Sequence, residues 1–179
     1  MLASMLDLHG SNRMLDVATG TGAMLSAAAR VGSPPTQATG LDSSPKMLAR
    51  VPPLPVGWRL IIANAAAMPL PDASFDRVSI AYLLHLLDAA GRESVLAEAH
   101  RVLAPGGLLG TVTVAPPAGT PARLLRAPIE ALASTSRGAL AGLRSLDPRP
   151  DLEHAGFIPL RGQRTRRGYP SLCVVAARS

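Results

Sequence analysis

Met14-Leu15-Asp16-Val17-Ala18-Thr19-Gly20-Thr21-Gly22 is the stretch that decides the fold. An apolar run enters a turn holding Gly20 and Gly22, and Ala23-Met24-Leu25 then opens a segment of helical spacing, so strand, turn and helix make a βα unit. Glycine at 20 and 22 allows positive φ and close approach of the backbone to a ligand. The helix that follows leaves its first amides free for an acceptor group. Such a turn alone does not identify a ligand.

Outward from it the alternation repeats. The first strand covers residues 13–18 and its helix 23–30; a second strand fits 37–41, and a helix starts at Pro45, with Ser44 as its cap. The Pro-rich stretch 51–57 ends that helix. Residues 58–63 read as a third strand and 77–82 as a fourth, apolar enough to be buried on both faces. Asp88 caps a helix running to about Leu103, and Gly106 and Gly107 break the chain before a β-branched fifth strand at 108–114. Strands and helices alternating in this way predict an α/β fold with a parallel sheet and right-handed crossovers. Residues 115–150 form a candidate lid, punctuated by Pro116, Pro117, Pro121 and Pro128, with a helix at 131–143. A short helix at 151–155 stops at Gly156, and strands follow near 158–161 and 172–176.

With 179 residues and no internal repeat, a single domain over 1–179 with a short N-terminal cap is expected. Hydrophobic residues make up 47% and aromatics 3%, so Ala, Leu, Val and Met must build the core, which suits a sheet covered by Ala-rich helices. No apolar run is long enough to span a bilayer, and residues 1–10 show no basic start followed by an apolar stretch, so the expected compartment is cytoplasmic. Cys173 is the only cysteine and sits in an apolar run, as a buried, unreactive thiol would. With one Cys and scattered His9, His100 and His154, which read as surface or packing residues, no metal site is expected. The net charge of +6 arises entirely beyond Gly119. An anionic partner and a solvated basic face both account for it; the scarcity of interleaved aromatics favours the face over nucleic acid.

Asp42 adds to the glycine turn. It ends the second strand about twenty residues further on, where a carboxylate can accept both hydroxyls of an adenosine ribose. Dinucleotide-binding folds use the same device, but Leu25 stands where their third glycine would be, and no pyrophosphate site is supported.

In four blocks taken in order, the chain resembles the class I S-adenosylmethionine-dependent methyltransferases, closest to the ubiquinone/menaquinone-biosynthesis branch. The blocks are Leu15-Asp16-Val17-Ala18-Thr19-Gly20-Thr21-Gly22, Gly40-Leu41-Asp42-Ser43-Ser44-Pro45-Lys46-Met47-Leu48, residues 64–76 from Asn64-Ala65 to Phe75-Asp76, and Glu98-Ala99-His100-Arg101-Val102-Leu103-Ala104-Pro105-Gly106-Gly107. The resemblance implies a Rossmann-like, doubly wound, mostly parallel seven-stranded sheet with an antiparallel last strand. It implies S-adenosylmethionine as cofactor. Ala18, Thr19, Gly20 and Gly22 would hold its methionine end, with Asp16 orienting that loop or the bound amine. Asp42, followed by Ser43, would take the ribose, Met47 would pack on the adenine, and Asn64 with the amide of Ala65 would read the adenine edge. Two positions depart from the family: Ala18 replaces a common glycine, and Asn64 replaces an aspartate, whose acceptor role an amide carbonyl can fill without charge assistance.

Asp16 and Asp42 could instead be a satisfied strand-end carboxylate and a helix cap, and Met47 plain core; their joint spacing with the glycines favours ligand roles for the carboxylates. Asp72 and Asp76 read as turn and strand-start residues. His85 follows the fourth strand at the sheet end where ligands collect and is the candidate acid/base catalyst, against a histidine packed under a loop. Tyr82 is a candidate wall of the substrate pocket. The resulting expectation is methyl transfer to a small-molecule acceptor. RNA or another nucleic acid as acceptor, and a non-catalytic S-adenosylmethionine-binding domain, are the alternatives. With little chain ahead of the first strand to cover the site, a homodimer partner is one way of completing the pocket.

Overall fold

The computed structural model of the chain describes residues 1–115, 144–165 and 170–179; the candidate helix at 131–143 and most of the candidate lid lie outside the described residues. Seven strands form one sheet in the order β3-β2-β1-β4-β5-β7-β6. In chain order the elements are α1 (Leu2–Met5), β1 (Arg13–Val17), α2 (Ala23–Ala28), β2 (Gln37–Asp42), α3 (Pro45–Leu48), β3 (Trp58–Ile62) and β4 (Phe75–Ala81). A 3-10 turn (Leu84–Leu86), α4 (Ala89–Val102), β5 (Leu103–Val114), α5 (Arg149–His154), β6 (Phe157–Thr165) and β7 (Ser171–Arg178) complete them. β1 pairs in parallel with β2 and β4, β2 with β3, and β4 with β5, while β7 runs antiparallel to β5 and β6. The parallel sheet with an antiparallel last strand is therefore as the sequence implies.

The two-residue period of the strands sorts the core into two layers. Along β7, Leu172, Val174 and Ala176 join the cluster under α4 and α5, with Leu96, Ala99 and Leu152. Cys173 and Val175 point the other way, to a cluster shared with Leu2, Leu6, Met24, Leu25 and Ala28 of the N-terminal segment and α2. Burial lifts the Cys173 thiol above its ordinary range, in keeping with an unreactive core residue. The helix ends follow their chemistry: the Asp88 carboxylate accepts the Gly91 amide at 2.8 Å and Ser44 Oγ accepts that of Met47 at 3.3 Å.

Several boundaries differ from the sequence reading, through pairings between strands. β5 starts at Leu103, because Leu103 pairs with Phe75 before the ladder resumes at Arg77 and Leu108; Gly106 and Gly107 sit in that irregularity and do not break the strand. Phe75 likewise begins β4 ahead of Arg77. β6 covers Phe157–Thr165, longer than the run at 158–161, since pairing to β7 carries its polar second half. Asp76 does more than start a strand: its carboxylate takes the Arg13 guanidinium through two bonds at 2.9 and 3.1 Å and the Arg13 amide at 2.9 Å, tying β4 to β1. The Arg13 charge and hydrogen bonds hold the Asp76 carboxyl below the usual carboxylate range.

Leu2 and Leu6 fill the space above Gly110 of β5, where a Cβ would approach their side chains to 2.8 and 3.0 Å. Arg77 Nε donates to the Leu6 carbonyl at 2.7 Å, fixing the end of this segment. Since Leu6 is fully buried, Leu6→Ala is expected to cost about 3 kcal/mol in urea unfolding. A loss under about 1 kcal/mol would show that the N-terminal segment is not part of the core.

Candidate functional site

The carboxyl ends of β1, β2, β3 and β4 lie along one edge of the sheet, and the strand order reverses between β1 and β4. Open α/β sheets bind ligands in the crevice at that switch point. Here a cleft of about 240 Å³ runs along the ends of the strands, lined by Ala18, Asp42, Ser43, Asn64 and Ala65 and closed opposite by Leu87 and the start of α4.

The turn after β1 is held from two sides. Asp16, the last polar residue of β1, is 1% exposed, and its two oxygens accept the Thr19 hydroxyl at 2.6 Å and the Ser79 hydroxyl at 2.7 Å. Burial is the main cause that pushes its pKa up to about 6, against the lowering effect of both hydroxyls. Asp42 accepts the Gly20 amide at 2.8 Å on one oxygen and the Ser44 amide at 2.9 Å on the other, while the Thr19 amide reaches the Leu41 carbonyl at 2.9 Å. Each Asp42 oxygen keeps acceptor capacity for a further donor. Ala18 has φ 54°, Gly20 56° and Gly22 78°, so the turn has the left-handed backbone for which glycine is suited, and Ala18 adopts it against its side chain.

Two exposed apolar side chains, Met47 and Ile62, stand near the residues that line the cleft. Met47 is 38% exposed on the one-turn α3, and its methyl lies 3.6 Å from where a Gly20 Cβ would stand, so it leans over the glycine turn and is not plain core. Ile62, in register with Asp42, is 63% exposed at the end of β3. Asn64 Oδ1 accepts the Ala66 amide at 2.9 Å, and its carbonyl accepts that of Ala67 at 3.1 Å. The Asn64 side chain thus shapes its own turn with one lone pair and keeps its amide donors and a second lone pair for a ligand.

Beyond β4, Tyr82 takes φ 59°, an uncommon backbone for an aromatic residue. Its amide donates to the Val112 carbonyl at 2.8 Å, and its hydroxyl shares a 2.7 Å hydrogen bond with Ser171 Oγ at the start of β7. His85 lies edge-on to Tyr82 with ring centroids 6.1 Å apart. It is 6% exposed, its Nδ1 has no hydrogen-bond partner among the described residues, and burial lowers its pKa, so it is neutral at pH 7.

The candidate residues therefore fall into two groups at one end of the sheet: the turn, Asp42, Ser43, Met47, Asn64 and Ala65 around the cleft, and Tyr82 with His85 after β4. Sequence reasoning passed over Ser79 and Ile62. A serine inside the otherwise apolar β4 was the available signal for Ser79. Nothing in the pattern distinguished Ile62 from a core strand residue. Among the described residues no cluster of His, Cys, Asp and Glu could hold a metal ion, and no helix is long and apolar enough to cross a membrane.

The family described as a methyltransferase domain matches residues 14–107. The ubiquinone/menaquinone biosynthesis C-methyltransferase UbiE of Methylobacterium nodulans is 44% identical over 101 residues, covering 53% of this chain and 39% of that protein. The demethylmenaquinone methyltransferase of Thermus thermophilus is 38% identical over 109 residues, covering 59% of this chain and 48% of that protein. The chain thus matches less than half the length of either relative. In fold it is similar to a SAM-dependent methyltransferase structure from Methanosarcina mazei, with a TM-score of 0.73 at 20% identity over 96% of this chain and 94% of the other.

Two predictions test the geometry of the turn. Ala18→Gly relieves a left-handed alanine and is expected to stabilise the chain by about 0.5–1 kcal/mol in urea unfolding; a destabilised variant would contradict the backbone described. Asp16 has a folded pKa raised from 3.8 to about 6, so below pH 3.8 it is protonated in both states, and stability falls as pH rises from there to about 6, then levels. Relative to Asp16→Asn, the unaltered chain should lose on the order of 2 kcal/mol between pH 4 and pH 7. Equal pH dependence of the two would mean that Asp16 titrates as an ordinary carboxylate.

Proposed function

The chain belongs to the methyltransferase domain family, and we propose that it transfers a methyl group from S-adenosylmethionine to a small aromatic acceptor of the demethylmenaquinone class. The observation that carries this reading is the glycine turn pinned by Asp16 and Asp42 beside the Asn64–Ala65 edge, all at the switch point of the sheet. The donor set fits the cofactor part by part. The turn at 18–22 suits the methionine end. Asp42 has acceptor capacity for ribose hydroxyls. Met47 and Ile62 offer exposed apolar side chains to the adenine ring, and the Asn64 side chain with the Ala65 amide suits its polar edge.

When bound, S-adenosylmethionine supplies a methyl carbon activated by the adjacent sulfonium. The protein's share of the work is alignment of the acceptor, exclusion of water and removal of a proton. Methylation of a ring carbon next to a hydroxyl-bearing carbon is helped by taking that hydroxyl proton, which makes the ring more nucleophilic; the methylated carbon then gives up its own hydrogen as a proton, which restores the aromatic ring and the hydroxyl. His85 is neutral at physiological pH and Nδ1 is free of a partner among the described residues, so it is assigned as the base. Tyr82, fixed through Ser171, forms the wall beside it. The acceptor class is taken from the names of the relatives, and the Arg-rich second half carries few aromatics, Phe157, which is buried, and Tyr169, where base stacking would want several.

The test is turnover of S-adenosylmethionine with a short-chain demethylmenaquinol, followed as methylated product by mass spectrometry. His85→Ala is expected to lower kcat by about a hundredfold while leaving cofactor affinity within about twofold. The rate should rise with pH with its midpoint below the ordinary imidazole value, because burial disfavours the charged ring. Turnover unaffected in the variant would remove His85 from the chemistry. Cofactor binding with no methylated product would assign the chain to a non-catalytic binding role.

A further inference from the structure

The sequence block from Glu98 to Gly107 touches none of the groups assigned above, yet its first turn carries a dense polar contact. We infer that Glu98 and Arg101 are positioning residues for adenine recognition, an inference that rests on the cofactor reading just given. Glu98 Oε2 accepts the Met68 amide at 2.5 Å, and Arg101 Nη2 donates to the Met68 carbonyl at 3.0 Å. The guanidinium is itself held by Glu98 at 2.7 and 2.8 Å, and its Nη1 reaches the Leu70 carbonyl at 2.7 Å and Asp72 at 2.6 Å. Finally, the Arg101 carbonyl accepts the Ala73 amide at 2.9 Å.

These contacts grip the chain immediately after it leaves the cleft. Asn64 and Ala67 form an isolated bridge, closed by the Ala67 amide on the Asn64 carbonyl at 3.1 Å, and Met68 is the next residue. Both polar groups of Met68 are fixed from α4, so the Asn64–Ala67 turn is anchored at β3 on one side and at the clamp on the other. Apolar burial of Met68 and Leu70, at 4% and 6% exposure, already holds this segment to the core. Burial is non-directional, whereas the fork of Arg101 and the carboxylate of Glu98 set the direction of the peptide planes. An edge-reading amide and carbonyl need that direction, because hydrogen bonds weaken steeply with angle.

The experiment is calorimetric titration of the full chain with S-adenosylhomocysteine and with S-inosylhomocysteine, in which an oxo group replaces the adenine amino group. Arg101→Met is expected to weaken the first about tenfold and the second less than about twofold, compressing the preference for adenine. Glu98→Gln, which keeps an acceptor for the Met68 amide, should retain most of that preference. Arg101→Lys, which keeps the charge but not the fork, should fall between. If Arg101→Met does not fold, the same comparison on the Glu98→Gln and Arg101→Lys pair decides. Equal weakening of both ligands, or no weakening, would overturn the inference and leave a purely structural clamp. Failure of the unaltered chain to bind either ligand would overturn the cofactor reading, and the inference with it.

Discussion

Two carboxylates at the ends of adjacent strands hold the turn that everything else at the cleft is arranged around. Asp16 is buried and satisfied by the hydroxyls of Thr19 and Ser79, which links β1, its own turn and β4; Asp42 receives the Gly20 and Ser44 amides, which links the turn to β2 and α3. Burying Asp16 is unfavourable, as its raised pKa records, and the hydroxyl pair offsets only part of that. A chain that retains such a group in its core trades stability for a fixed loop. The left-handed Ala18 points the same way, since local strain persists where the surroundings over-determine the backbone.

The sheet makes this arrangement available. With β1 inside the sheet and neighbours running parallel on both sides, the ends of four strands and the loops that follow them converge at one edge. The two apolar layers then fix what lies above and below: α2 and the N-terminal segment on one face, α4 and α5 on the other. Gly40 in β2 leaves room for Leu25, whose methyl would come within 2.8 Å of a Cβ there. That is how α2 can carry a leucine where a dinucleotide fold would carry a glycine, and still pack closely on the sheet. Polar contacts from α4 extend the same rigidity to the segment after Asn64.

Much of this was legible in the sequence because the signals were local. The turn after β1, the acidic end of β2, the caps at Ser44 and Asp88 and the apolar β4 depend on neighbours within a few residues, and the structure has them where the pattern put them. Contacts between residues far apart in the chain were not legible. Asp72 and Asp76 read as turn and strand-start residues and stand as such, but their ion-pair partners, Arg101 and Arg13, are ones that no spacing rule connects to them. Ser79 and Asp16 meet only because β1 and β4 are neighbours in the sheet. The same limit applies to Gly106 and Gly107, whose effect on β5 depended on whether Leu103 found a partner in Phe75. For His85 the sequence indicated the end of the sheet and left a catalytic base and a histidine packed under a loop both open; the side chain is buried, which no local pattern decides.

The central claim, that the pinned turn is a cofactor site, is tested most directly by calorimetric titration of the purified chain with S-adenosylmethionine, with NAD as the comparison ligand and Asp42→Ala as the comparison variant, each confirmed as folded by circular dichroism. The account predicts saturable binding of S-adenosylmethionine, none of NAD, and loss of binding in the folded variant. Binding of NAD, or S-adenosylmethionine affinity untouched by removal of Asp42, would contradict it.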